Sequence, residues 1–241
     1  MTTGEEAERS FAVREGYAMY RGPSPGGACH GHAAFQIAIA LQGEVAMVDA
    51  AGIRHRAEAL VVPPLARHRM LATAGLLTFY IEPQCAFADR LREYGGAGLV
   101  AAPELRALDE AEVRRAVAPP SRELDPRLLA AMGTLAGRPI PMPELAAGVG
   151  LSPQRLRALA RHQLGMPLPR LRVWLRLRRA VEALRQGQSL AEAAATSGFA
   201  DQAHFTRQMG AMMGLTPAAV LPALRPSVPA RDVDRDRTAE R

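Results

Sequence analysis

The sequence predicts an α+β, multi-domain protein: a β-barrel with flanking helices, then an all-α domain of two helix-turn-helix units joined by a long helix. Three observations carry this. Short apolar runs separated by Gly and Pro fill the first 82 residues, the apolar spacing then lengthens to a helical period, and charge divides unevenly between the halves. A chain of 241 residues has room for two domains of roughly 100 residues each. Its 48% hydrophobic content supplies two modest cores.

Every basic side chain is Arg, 30 against 24 acids. Residues 1–120 carry 12 Arg against 14 acids, residues 121–225 carry 14 against 6, and the stretch from 226 carries 4 of each. An acidic half joined to a strongly basic half points to a sensor or interaction domain attached to a polyanion-binding domain. No apolar run approaches the roughly 18–20 residues of a membrane span, since Ala33–Leu41 is broken by Gln36. Glu5, Glu6 and Glu8 stand where a secretory signal has a basic start and an apolar run. Cys29 and Cys85 alone make neither a disulfide framework nor an all-cysteine zinc site. The expectation is a cytoplasmic protein.

Strands are expected at Phe35–Leu41, Glu44–Asp49, Arg54–Ala57, Leu60–Val62, Arg67–Leu71 and Leu76–Ile81. They are separated by Gly43, Ala51-Gly52, Pro63-Pro64 and Gly75, the pattern of a small barrel or sandwich. Ala88–Glu93 and Pro103–Val117 then show helical spacing through Leu105, Leu108, Val113 and Val117. Such helices either pack on the barrel or form a dimer interface, and the second is favoured. The barrel with its helices occupies 1–117 as a sensor and dimerisation domain. Residues 118–124, with Pro119-Pro120, form a stiff linker, and 223–241 a disordered tail.

Residues 125–222 read as helical throughout. Asp125-Pro126 is an N-cap followed by Pro at the first helical position, with Leu128, Leu129, Met132 and Leu135 on one face. Pro143–Ala147, a turn at Val149-Gly150-Leu151, and a helix from Ser152-Pro153 form a helix-turn-helix. The layout recurs with Ser189–Thr196, Ser197-Gly198-Phe199 and a helix capped by Asp201. Arg170–Arg185 joins the two, its apolar stripe containing Trp174. A polar helix after a tight turn presents side chains to the major groove, and two on one rigid helix suit successive grooves. DNA binding is therefore expected.

Gly198-Phe199-Ala200-Asp201-Gln202-Ala203-His204-Phe205-Thr206-Arg207, followed by Gly214-Leu215-Thr216-Pro217, resembles the signature of the AraC/XylS family of bacterial transcription regulators. Leu151-Ser152-Pro153-Gln154-Arg155-Leu156-Arg157 resembles the family's first unit. The resemblance places Gln154, Arg155, Arg157 and Ala158 on the first recognition helix and Gln202, Ala203, His204 and Arg207 on the second. Gln suits adenine and Arg guanine. Arg161, Arg172 and Arg176 suit phosphate contacts, and Phe199, Phe205, Leu156 and Trp174 read as core. Ala203, Met209, Gly210 and Val220 depart from the Ser, Phe, basic and aromatic residues usual at those positions. The resemblance further implies double-stranded promoter DNA, RNA polymerase and a small-molecule effector as partners, an activator's role, and a homodimer.

The first domain resembles a cupin. His30-Gly31-His32, Gln36 and Gly43 follow the spacing H-x-H-x3-E-x6-G, with Gln for Glu. Pro63, Leu65 and His68 follow P-x-G-x2-H, with Leu for Gly. The resemblance implies that His30, His32, Gln36 and His68 converge inside the barrel, either as an effector pocket or as a divalent transition-metal centre formed by His30, His32 and His68. Three imidazoles suit Zn, Ni, Cu or Fe, and Cys29 is a candidate additional thiolate. A cupin metalloenzyme is the remaining alternative, disfavoured because catalysis gains nothing from the basic domain.

Overall fold

A computed structural model describes residues 9–96, 98–137 and 140–224; the expected tail lies outside them from residue 225. The first domain contains β1 (Ser10–Arg14), β2 (Tyr17–Ser24), β3 (Phe35–Ala40), β4 (Val45–Asp49), β5 (Arg54–Ala57), β6 (Ala59–Val62), β7 (His68–Met70) and β8 (Thr73–Ile81). After these come α1 (Ala86–Arg92), β9 (Val100–Ala101), a 3₁₀ turn at Pro103–Ala107 and α2 (Glu110–Val117). One sheet has the order β1-β2-β8-β3-β6-β9 and the other β5-β4-β7. All the pairs are antiparallel.

The β3–β8 pair has the purest core signal. Phe35, Ile37, Phe79 and Ile81 are buried together, in the registers Phe35↔Ile81 and Ile37↔Phe79. β1 and β2 lie outside the expected strands, because Gly16, Gly22 and Pro23 interrupt their alternation, and β2 shifts register between Gly22 and Ser24. The helix expected over Pro103–Val117 is split. Leu108 is extended, and Asp109 caps α2 by accepting from the Glu112 amide. Leu91, Leu105, Leu108, Val113 and Val117 are buried against Phe35, Ile37 and Phe79. The stripe read as a dimer surface therefore covers the chain's own sheet.

The two sheets do not close into a continuous barrel, and the expected linker is pinned to this first domain. Pro119 O accepts from Ala86 N (2.9 Å) and Ser121 N donates to Gln84 O (2.8 Å). The buried Asp89 carboxylate accepts from Ser121 Oγ and from Arg122 N.

The second domain comprises α3 (Pro126–Gly137), α4 (Met142–Gly148), α5 (Pro153–Leu164), α6 (Leu168–Arg185), α7 (Leu190–Thr196), α8 (Gln202–Met213) and α9 (Pro217–Leu224). The two units repeat closely. A helix of 7 residues precedes one of 12 in each. The turns use Gly150 (φ 68°) and Gly198 (φ 80°), and the longer helices end on Gly165 and Gly214, both at φ 66°. Positive φ favours glycine at such C-caps. Trp174, Leu171 and Leu177 of α6 join Phe11, Ala18 and Tyr80 of the barrel in one buried cluster, so the domains share apolar packing. No described helix is long and apolar enough to cross a membrane.

Candidate nucleic-acid interface and interdomain pocket

Local signals build both recognition helices. Ser152 Oγ accepts from Arg155 N (3.1 Å) and Asp201 Oδ1 from His204 N (2.6 Å), each satisfying an orphan amide of the first turn. Leu156, Ala160 and Leu164 of α5, and Phe205, Met209 and Met212 of α8, are buried. This turns Gln154, Arg155, Arg157, Ala158 and Arg161 outward on α5, and Gln202, Ala203 and Arg207 outward on α8, all exposed. His204 is half-buried; its Nδ1 accepts from Ala200 N (3.3 Å) and its ring meets Phe199 edge-on. Met209 and Val220, two of the family departures, are core residues.

The three phosphate candidates part ways. Arg161 is exposed, whereas Arg172 and Arg176 are half-buried. Arg172 donates to Ile140 O (2.7 Å), so its guanidinium packs α6 against the approach to α4. Arg176 lies beside the turn glycine Gly198.

Residues 145–222 match the family model of a helix-turn-helix domain. The chain carries a helix-turn-helix domain over these residues. At the level of the whole fold, the chain is similar to ToxT from Vibrio cholerae. An apo variant of ToxT is 12% identical with a TM-score of 0.58, covering 90% of this chain and 100% of that one. Wild-type ToxT with an unsaturated fatty acid bound is 13% identical with a TM-score of 0.55, covering 90% and 96%. A transcriptional regulator from Chromobacterium violaceum, of the AraC-type DNA-binding class, is 25% identical over 43% of this chain and 95% of that one, with a TM-score of 0.40. No curated protein matches the chain in sequence.

Behind the helix-turn-helix domain, His30, His32 and His68 are gathered, all buried, with one ring nitrogen of each within 4.8 Å of the others. His30 and His68 face one another across a two-bond bridge, His30 N to His68 O (2.9 Å) and His68 N to His30 O (3.0 Å). Leu65, which stands where the cupin pattern has Gly, keeps a glycine-like φ of 62°. It is held there by donating to His32 O (2.7 Å). Its carbonyl presses on Gly31 so closely that a Cβ there would approach it to 3.1 Å. A residue in this region costs about 1–2 kcal/mol, a strain held in place by the bond from Leu65 N to His32 O. Cys29 is exposed and does not join the cluster. His55 is half-buried and paired with Asp49 (2.9 Å).

The tautomers follow from the carbonyls. His30 Nδ1–H donates to Ala28 O (2.8 Å) and His68 Nδ1–H to Ala66 O (2.9 Å), which leaves both Nε2 lone pairs inward. His32 Nε2 is 3.1 Å from His30 Nε2 and 3.0 Å from Gln36 Oε1. Gln36 Nε2 donates to Thr78 Oγ1 (3.2 Å), which aims its oxygen at the rings. His68 Nε2 and His32 Nδ1 are buried without a hydrogen-bond partner. Burial lowers all three pKa values. His32 falls well below the usual range, with His30 and His68 adding to the effect, and His68 falls to about 4. Neutral imidazoles result: the His68 Nε2 lone pair is free, and the His32 Nε2 proton, which faces Gln36 Oε1, must move to Nδ1 before that nitrogen can ligate an ion. The set fits a transition metal: two nitrogens on one tetrahedral ion at 2.0–2.1 Å stand about 3.3 Å apart, close to the His30–His32 separation.

Next to the cluster lies a cavity of about 410 Å³ whose walls come from both domains. Its polar lining is Arg9, Ser24, His30, Gln36 and Thr78, and Phe11, Tyr20, Met70, Leu76, Tyr80, Met213 and Val220 supply most of the rest. The His motif foreshadowed part of the polar lining. Nothing in the sequence foreshadowed the wall from α9, because it depends on how the domains dock. Glu82 was missed for the same reason: buried at the end of β8, it accepts from Trp174 Nε1 (3.2 Å) and Arg178 of α6. Its only sequence signal is a single acid directly after the apolar run Leu76–Ile81.

Proposed function

We propose that the protein is a cytoplasmic, sequence-specific transcription regulator whose barrel senses a small molecule and controls promoter binding or contact with RNA polymerase. The observation that carries this reading is the cavity formed jointly by the barrel and the second helix-turn-helix. A ligand there touches the DNA-reading module itself, and it shifts an equilibrium by preferring one domain arrangement. The size and lining fit a ligand with an apolar body and one polar end. The unsaturated fatty acid bound by ToxT is a compound of that kind. Homodimerisation and an activator's role complete the proposal.

The test is to select binding sequences from random duplexes and then measure affinity with and without amphiphilic ligands. Arg157→Ala or Arg207→Ala should lose about 1–3 kcal/mol on the selected site and relax one base position. Equal losses on selected and random DNA would reassign that Arg to the phosphates. Arg161→Ala should weaken all sequences and flatten the log–log salt dependence by about 0.9; an unchanged slope removes it from the backbone contacts. Arg172→Ala should leave that slope unchanged, because its guanidinium already serves Ile140 O.

A second reading is favoured by the unpartnered His68 Nε2: a metal-sensing regulator in which His30, His32, His68 and Gln36 Oε1 hold a transition ion. Metal content of untagged protein, compared with a His30→Ala/His32→Ala/His68→Ala variant, tests it. Near one equivalent, lost in the variant, supports the reading; no metal after reconstitution leaves the organic ligand alone.

A further inference from the structure

The histidine centre belongs to the barrel in sequence but is closed by the DNA-binding domain in space. Gly214, the C-cap of α8, lies against the His30 ring so tightly that a Cβ there would overlap Nδ1. Gly27 meets the Gly214 carbonyl, where a Cβ on Gly27 would come within 3.1 Å. Gly31 N points to Ala211 O (3.5 Å). The Met212 backbone lies beside His32, whose Nδ1 is buried without a hydrogen-bond partner. On the other side, the Trp174 ring stands edge-on to His32 at 6.3 Å. Two barrel carbonyls, Ala28 and Ala66, orient two of the rings. Gln36 orients the His32 ring from within the first domain, and α6 and α8 complete its burial.

We propose that this centre is an interdomain metal lock, in which a transition-metal ion on His30, His32, His68 and Gln36 binds tightly only while the second helix-turn-helix is seated on the barrel. The inference rests on the metal reading above and adds the regulation of that site. Outer hydrogen-bond partners that hold a ligating ring in place are worth roughly 10–100-fold in metal affinity. By reciprocity, an ion that binds the seated arrangement more tightly stabilises that arrangement by the same factor. The ion would thereby set the position of the second recognition helix relative to the barrel.

The chain has a single tryptophan, and it stands at the centre's edge, so Trp174 emission reports both seating and a nearby quenching ion. The experiment titrates Co²⁺ into the full-length, chelator-treated chain, following visible d–d absorption and Trp174 fluorescence. Gly214→Ala crowds the lid. Arg178→Ala loosens the seating by leaving Glu82 without its ion-pair partner. The expected result is one Co²⁺ per wild-type chain, no Co²⁺ in His68→Ala, and affinity at least tenfold weaker in both seating variants with circular dichroism unchanged. Should Gly214→Ala fail to fold, Arg178→Ala alone decides. Wild-type affinity in a folded seating variant makes the site the barrel's own and overturns the lock. Absence of Co²⁺ from the wild type overturns the lock and the metal reading together. Binding of the metal-free chain to its selected DNA is measured separately, so the regulator reading stands or falls on its own.

Discussion

Replacing Arg178 with Ala is expected to destabilise the seated arrangement by about 3–5 kcal/mol, the usual cost of leaving one member of a buried ion pair without the other. The Glu82 side chain is 2% exposed and that of Arg178 20%. Glu82 Oε1 accepts from Arg178 and Trp174 Nε1, and Oε2 from Gln84 Nε2 (2.6 Å). Arg178 also donates to Arg14 O, so its loss frees β1 as well. The chain has one escape: letting α6 lift off the barrel returns Glu82 to water. Denaturation of Arg178→Ala should therefore separate into two transitions, with Trp174 emission moving to longer wavelength in the first. Glu82→Gln/Arg178→Met should lose much less, because neither charge remains to be buried alone. Urea unfolding followed by fluorescence and circular dichroism checks this. A single wild-type-like transition in Arg178→Ala, with less than about 1 kcal/mol lost, would show that the pair does not hold the domains together.

Acid should act on the histidine centre with a comparable effect. In chelator-treated protein, stability should be full above about pH 6.5 and fall as pH drops toward 4. The sign follows from linkage: the folded-state pKa values are depressed, so between the folded and unfolded values the unfolded chain binds more protons and stability rises with pH. The unfolded value is near 6.5, and His68 sits at about 4 when folded. That difference corresponds to about 3 kcal/mol for His68 alone. Like-charge repulsion among the three rings acts in the same direction, and the nearby Arg67 adds to it at His30. Tyr80, packed edge-on to His32, has its own pKa pushed upward by burial and stays neutral throughout. Melting temperatures from pH 7.5 to 4.5 should show the loss, and His68→Phe should flatten the curve. A wild-type curve that is flat between pH 7 and 5 would mean that the rings are not buried as neutral groups.

Much of the second domain is legible in the amino-acid sequence, because its signals are local. Ser152 and Asp201 cap helices within three residues of themselves, and Gly150 and Gly198 make turns that few other residues tolerate. The 49-residue offset between the two caps is preserved in the starts of α5 and α8. In the first domain the strands from Phe35 to Ile81 are legible too, since continuous apolar runs bounded by Gly and Pro permit little else. The histidine spacing is equally plain, although the Leu at position 65 hides a glycine-like turn. The apolar stripe at Leu105, Leu108, Val113 and Val117 is visible, but periodicity reports that a face is apolar without naming what covers it. The Arg residues of the second domain illustrate the same limit. Composition marks Arg161, Arg172 and Arg178 alike as basic, yet one is exposed, one serves Ile140 O and one is sealed against Glu82. Chain-local chemistry determined the elements, their caps and the residue types at the recognition helices and the histidine centre. Docking alone decided that Gly214 closes on His30, that Glu82 meets Arg178 across 96 residues, and that the cavity has walls from two domains. Such contacts depend on which buried surfaces fit together in space, a property that no short window of sequence carries.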